Sequence, residues 1–550
     1  MLAKLPFLFK QSAWLLALLI MTSALPASAQ EEDEDVIMQE GQFNFEYSKE
    51  LNGYIISPDK YGGFDWDMEF QLYVPSTRLQ DGKPVVGLSG FESLKELREI
   101  IFPEENCHVK YICDNCFKYC HQLGAEDQVL NLPESVETIG HYAFYSCTGL
   151  RSVNLSSKLK SIGVSAFELC KSLESITLPK SLKVIREYAF RNCANFDHWG
   201  NFIGGGLESV VFEDGVDFYT NDVYCFYNHV FWGCANLSSV KLPNGTPGRF
   251  IIPMGTFGYC GNLKSIEFPT NTGKIEQMAF YRSGIERLDL TKIELEKPFY
   301  LQGYYTFAAC ENLKTVKAKG KVRFDGLYTF QWCESLETVK ISGSGDDYTE
   351  ITPDVFRYCN NLTSVEVYRL KGTGQDNEMD SVFVGCKRLK TVKSVCPPVL
   401  SKIGVSCFDG CESLEQVDLP VEGTFTISET AFRNCAALQR FDFTNVSLIG
   451  TKAFTGCSGL ASISAKSPTN APPAMVNEDA FDVWHYDNAE VDVLEERYRD
   501  FAADDCWKKF KGLKHPSMFA YKPVDGGYSI SKGQYALDED FSDMLVIPEL

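Results

Sequence analysis

One unit returns down this chain fourteen times. Phenylalanine stands at positions 117, 144, 167, 190, 231, 257, 280, 307, 330, 356, 383, 408, 432 and 454, and the third residue after each is cysteine in every unit but one, where it is Ser283. "IGHYAFYSCTGLRSVNL" from Ile139, "IGVSAFELCKSLESITLP" from Ile162 and "IGVSCFDGCESLEQVDLP" from Ile403 give the frame I-G-x-x-A-F-x-x-C-x-x-L-x-S-V-x-L-P. Fourteen equivalent spacings cannot be fourteen catalytic sites; they are fourteen equivalent packing positions. L-x-S-V-x-L reads as a short strand with its apolar residues inward, and A-F-x-x-C as the turn that fills the far side of a coil. One such coil cannot bury its own apolar face, so neighbours must stack and share a core. The pairs Phe144 and Cys147, Phe167 and Cys170, Phe190 and Cys193, Phe307 and Cys310, and Phe432 and Cys435 are therefore expected to form an internal structural ladder.

The phase of the repeat bears on the cysteine-dense stretch "CHVKYICDNCFKYCH", Cys107 to His121. Alone, its C-x-x-C spacing points to zinc. In phase, Cys120 is the ordinary repeat cysteine and Cys116 fills the small-residue slot held elsewhere by Ala143, Ala166 and Cys407. Cys107 and Cys113 are left as a weak metal candidate, a local disulfide, or free thiols. Along the ladder, stacked positions point their Cβ vectors in parallel, which disfavours disulfide geometry; a mostly reduced ladder is expected, with cysteine serving as a small, slightly polar hydrophobe.

The frame resembles that of the BspA-like leucine-rich repeat family of exported bacterial surface proteins, over residues of about 110 to 465. The resemblance implies a repeat solenoid, a β-rich right-handed coil with a parallel sheet on its concave face and short helical or 3-10 turns, capped at both ends. It also implies a surface or secreted protein, in some members adhesive, and supplies no catalytic residues.

The ends fit that organisation. Residues 1–29 carry two lysines, an apolar stretch and Ala27-Ser28-Ala29, the pattern of a secretory signal peptide. Residues 30–40 read as an acidic disordered leader, 41–105 as a β-rich N-terminal cap, 106–470 as the solenoid, and 471–516 as a C-terminal cap in which Trp507 and Phe510 plug the last coil. Residues 517–550 read as the start of a second cap-like module, because "GYSIS" from Gly527 echoes "GYIIS" from Gly53. No second apolar run is long enough to span a bilayer, so membrane insertion is not expected. A formal charge of −22 repels nucleic acid.

Strict strand alternation exposes two outward lanes. The first is mostly Ser and Thr and reads as a hydroxyl ladder. The second varies between otherwise matching coils and is the candidate ligand surface: Lys241, Glu267, Asp289, Lys317, Lys340, Glu366 and Lys393, with Lys317, Lys340 and Lys393 as a basic patch. Aromatic insertions supply Trp199, Tyr219 and Tyr224 as further binding candidates. The enzyme reading fails on the absence of H-E-x-x-H, G-x-S-x-G and P-loop patterns, and no cofactor is expected. The expected function is binding of an extracellular protein or glycan ligand, or, alternatively, a non-enzymatic envelope or matrix component that self-associates.

Overall fold

The computed structural model of the chain describes residues 36–532, apart from 39, 63, 127, 221–222, 245–249, 294–297, 374–377, 420–422, 467–472, 478, 514–518 and 525–526. The signal-peptide reading of residues 1–29 lies outside the described residues.

Most coils carry two short strands, each paired in parallel with its equivalent in a neighbouring coil; the frame segment at 265–267 forms no strand. The L-x-S-V-x-L strands run from Val129–Asn131 through Ser152–Asn154, Ser175–Leu178 and Ser209–Phe212 to Ser239–Lys241. They resume from Arg287–Leu290 through Thr315–Lys319, Thr338–Ser342, Ser364–Lys371 and Thr391–Val399 to Gln416–Asp418. A last group begins at Arg440–Asp442 and includes Ser462–Ser464 and Glu490–Asp492. The second strand of a coil, such as Thr138–Ile139 and Ser161–Ile162, makes another parallel ladder, which joins the first where Thr349–Ile351 pairs with Ser364–Lys371. Register is exact: Ser152 faces Ser175, Thr315 faces Thr338, and Thr338 faces Ser364. The frame serine and threonine thus form the expected hydroxyl lane.

A-F-x-x-C is a turn because its backbone is left-handed twice. The residue two before and the residue two after each of the fourteen phenylalanines have positive φ, as Ser165 (53°) and Leu169 (63°) do around Phe167. Most of these residues are not glycine, so each carries a steric cost that the packed core must offset. The phenylalanine N–H then donates to the next coil, Phe144 to Ala166 O at 2.8 Å and Phe167 to Ala189 O at 2.7 Å.

The core is a column of rings. Phe91, the fourteen frame phenylalanines and Phe481 stack one on the next at centroid spacings of 4.9–5.8 Å. Phe144, Phe307 and Phe432 are fully buried members of it. The cysteines lock successive coils. Each of the thirteen frame thiols donates to the carbonyl of the phenylalanine one coil earlier, as Cys147 Sγ does to Phe117 O (3.0 Å), Cys170 to Phe144 (3.2 Å), Cys193 to Phe167 (3.1 Å), Cys310 to Phe280 (3.0 Å) and Cys435 to Phe408 (3.2 Å). Phe144 O also accepts the Cys147 N–H at 3.2 Å, so the thiol satisfies the second lone pair of a buried carbonyl. An alanine of similar size would leave it empty.

The ends differ from the sequence reading in detail. Residues 41–105 run into the solenoid without a break: Gly53–Pro58, Val85–Leu88 and Tyr111–Ile112 form one continuous ladder, entered by an antiparallel hairpin with Phe43–Ser48. Val36–Met38, placed by sequence in a disordered leader, pairs with Phe70–Tyr73. At the other end Trp507 is fully buried, its Nε1 donating to Ala474 O at 2.9 Å, and the Phe510 ring lies 5.3 Å from Phe481. Buried His485 accepts the Asp482 N–H on Nδ1 (3.2 Å) and therefore donates from Nε2 to Cys457 O (2.9 Å). Phe519–Val524 and Gly527–Lys532 form an antiparallel hairpin like that of Phe43–Ser48 with Gly53–Pro58.

Candidate functional site

The second outward lane is assembled as a real surface. Asp289, Lys317, Lys340, Glu366, Lys393 and Asp418 follow one another in register across six adjacent strands. It is not a basic patch. Glu366 sits between Lys340 and Lys393 and pairs with Lys340 at 3.0 Å. Lys241 pairs with Asp214 (3.3 Å) and Glu267 with Lys292 (3.5 Å), while Asp289 accepts the Thr291 N–H and hydroxyl, which lowers its carboxyl below the usual range. Exposed pairs of this kind contribute less than about 1 kcal/mol each, so the lane is neutralised locally but easily re-paired by a ligand.

The insertions divide sharply. Residues 194–206 form an antiparallel hairpin, Ala194–Phe196 with Phe202–Gly206, that lifts Trp199 (78% exposed), Phe202 and Ile203 into solvent. Gly204, Gly205 and Gly206 all take positive φ in its return strand. Tyr219 and Tyr224 are register partners in a second small hairpin, Tyr219–Thr220 with Val223–Tyr224, and their side chains lie outside the described residues. Phe218 and Phe226, in the same insertion, are buried against Phe212. They fill the space that the longer coil opens.

The structure also shows a surface that the sequence reading missed. Around the A-F-x-x-C turns, side chains beside the buried phenylalanine point outward, and in five successive turns and the one that follows they are aromatic. Tyr188, His229, Trp232, Tyr259, Tyr281, Tyr305 and Tyr328 touch in sequence at centroid distances of 5.4, 5.1, 4.9, 5.5, 6.2 and 5.1 Å. The ribbon lies parallel to the internal column and is half-exposed, Tyr259 to 39%. Arg282 sits over both Tyr259 and Tyr281, and Arg191 over Tyr188. Burial, and then the Arg191 charge, push the His229 imidazole below its ordinary value, so it is neutral at pH 7. The signal was present in the sequence, in the columns two before, one after and two after the frame phenylalanine, but those columns mix Tyr, Trp and His with Ser, Asn and Gly.

The cysteine-dense stretch does not converge on a metal. Cys116 and Cys120 are fully buried; Cys107 and Cys113 are half-buried free thiols. Burial, with the Asp114 charge second, raises the Cys113 thiol to about 11. Among the described residues no group of three or more His, Cys, Asp or Glu side chains is placed to hold a metal ion. No helix among them is long and apolar enough to cross a membrane.

The family is evident from the repeat itself. The model for the BspA type leucine rich repeat region (6 copies) matches residues 74–197, 224–363, 286–393 and 379–473, and the chain belongs to that family. No curated protein sequence matches it. Among solved structures, a leucine-rich repeat protein from Bacteroides ovatus shares 24% identity over 78% of this chain and 94% of its own, with a TM-score of 0.50. A leucine rich cell surface protein from Faecalibacterium prausnitzii is 19% identical over 80% of this chain and 96% of its own (TM-score 0.33), and the pneumococcal vaccine antigen PcpA 16% over 66% and 98% (TM-score 0.33).

Proposed function

We propose that this chain is an exported, cell-surface binding protein of bacteria, without enzymatic activity, whose ligand is an extracellular glycan or protein held along the aromatic ribbon from Tyr188 to Tyr328. The observation that carries the reading is the unbroken ring-to-ring contact of seven outward aromatics across successive coils. Large, stiff, amphipathic side chains cost little entropy on binding and dominate recognition surfaces. A long linear ligand lying parallel to the solenoid axis would meet one or two of them per coil. The projecting hairpin with Trp199 offers a further exposed aromatic beside the ribbon's first coil. Support for the surface location comes from the signal-like N-terminal residues and from membership of the BspA type leucine-rich repeat family.

The test is a screen of the purified chain on glycan and extracellular-matrix arrays, repeated with Trp232→Ala and Tyr259→Ala together and with Lys317→Glu and Lys340→Glu together. The reading expects array signal that the aromatic pair abolishes and the charge reversal leaves largely intact. Silence of the wild-type chain, or signal indifferent to the aromatic pair, refutes it.

A further inference from the structure

The L-x-S-V-x-L sheet parts between Gln416–Asp418 and Arg440–Asp442. These strands belong to consecutive coils, yet they are not paired. Elsewhere along this stretch the residue just before the strand donates its N–H to its equivalent one coil earlier: Thr363 to Glu337 O, Lys390 to Thr363 O, Glu415 to Lys390 O and Ala461 to Gln439 O. No such bond joins Gln439 to Glu415 among the described residues. The parting is confined to this face. Behind it, the Phe408 and Phe432 rings are 5.0 Å apart, and Lys402–Ile403 pairs in register with Phe425–Ile427. The coils are hinged shut at the back and open at the front.

Side-chain burial records the same opening. The inward valine of the strand is at most 1% exposed in Val316, Val339, Val365 and Val392, whereas Val417 and Phe441 are only half-buried. The parted edges line a cleft of about 680 Å³, with Val417, Leu419, Phe425 and Phe441 on its floor and Gln416, Arg440 and Asp442 at its mouth. The second outward lane presents an acid on both edges, Asp418 and Asp442. In the next strand along, the residue in register with Asp418 is Lys393.

We infer that this cleft is a strand-accepting site, which takes an extended peptide segment of a partner protein in parallel with both edges. Its chemistry is that of the frame itself: apolar residues alternating with polar ones, and a basic residue in the second outward lane, between Asp418 and Asp442. Two facing strand edges demand a ligand with backbone donors and acceptors at strand spacing on both sides, which a peptide in extended form supplies and a sugar chain does not. Unpaired edges in a protein interior are otherwise a liability, and the exposed apolar floor adds affinity for alternate side chains. This site is separate from the aromatic ribbon.

The probe is a fluorescent peptide with the sequence SLETVKIS, residues 335–342 of this chain, which carries the frame pattern with lysine in the second lane. Titrated with the full chain and followed by anisotropy, it should bind saturably. The analogue N-methylated at alternate backbone amides keeps every side chain and should bind at least tenfold more weakly to the unaltered protein. Replacing the peptide lysine by glutamate should weaken binding several-fold. Val417→Lys, with its urea midpoint checked for an intact fold, should weaken binding at least tenfold, and the paired Trp232→Ala and Tyr259→Ala substitutions should not change it. No saturable binding, or equal binding of the N-methylated analogue, overturns the inference whatever the fate of the ribbon.

Discussion

Raising the pH should pull the solenoid apart through its thiols, and Cys310 shows by how much. Its side chain is fully buried between coils, and burial, partly offset by Ser283, raises its pKa from an ordinary thiol value of 9.0 to about 12. Below pH 9 the thiol is protonated in both the folded and the unfolded chain, and its contribution to stability is fully present. Above pH 9 the unfolded chain loses the proton while the folded coil keeps it, so stability falls until the folded thiol itself ionises near pH 12. The loss is about 1.4 kcal/mol per pH unit for one thiol, and near 1.4 kcal/mol in total at pH 10. Cys147, Cys333 and Cys359 in the same ladder are raised in the same direction, chiefly by burial, so the decline should be steeper than lysine and tyrosine titration alone produces. Cys310→Ser isolates one rung, and Ser283 shows that the slot accepts a hydroxyl. Urea denaturation of both chains at pH 7 and pH 10, followed by circular dichroism, gives two differences. Wild type should lose about 1.4 kcal/mol more than the variant over that interval. Equal losses would show that the Cys310 thiol is not held protonated in the core.

Alkylation of the unfolded chain should count twenty free thiols, while in the native protein a thiol reagent should reach only the half-buried Cys107, Cys113, Cys396 and Cys506; a large shortfall in the first count would mean bridges between coils. Phe307→Ala removes a ring stacked on both sides and should cost about 3–5 kcal/mol in urea unfolding, a cost below 1 kcal/mol being incompatible with a continuous column. Lys452 is exposed and left-handed (φ 54°), so Lys452→Gly should stabilise the chain by up to about 1 kcal/mol, seen as a higher urea midpoint.

The interior of this protein was legible because packing repeats: a fixed phenylalanine-to-cysteine offset can only survive where every coil presents the same cavity to the next. The end coils escaped that reading. Phe91 is followed by Leu94 and Phe481 by Trp484 rather than by cysteine, and these two rings end the column, each stacked on one neighbour only. The left-handed turn residues left no trace either, because the core enforces their backbone and almost any side chain tolerates it at a modest cost. The same holds for the parted sheet: Gln416-Val417-Asp418 is an ordinary frame strand, and only the geometry of the next coil denies it a partner. On the surface, the lane was read as basic from its three lysines although Glu366 already stood between Lys340 and Lys393 in the repeat; what the stacked coils add is the pairing of Glu366 with Lys340 at 3.0 Å.

Between Phe190 and Phe231 the chain spends forty residues, including two hairpins, yet the two rings stack 5.4 Å apart, as closely as rings separated by twenty-two. What is hung on the outside is thus uncoupled from what holds the inside together. Such a molecule can grow a new protrusion, lose one or add a whole storey without renegotiating its foundations, so its exterior is free to drift with whatever it meets while its architecture stays put.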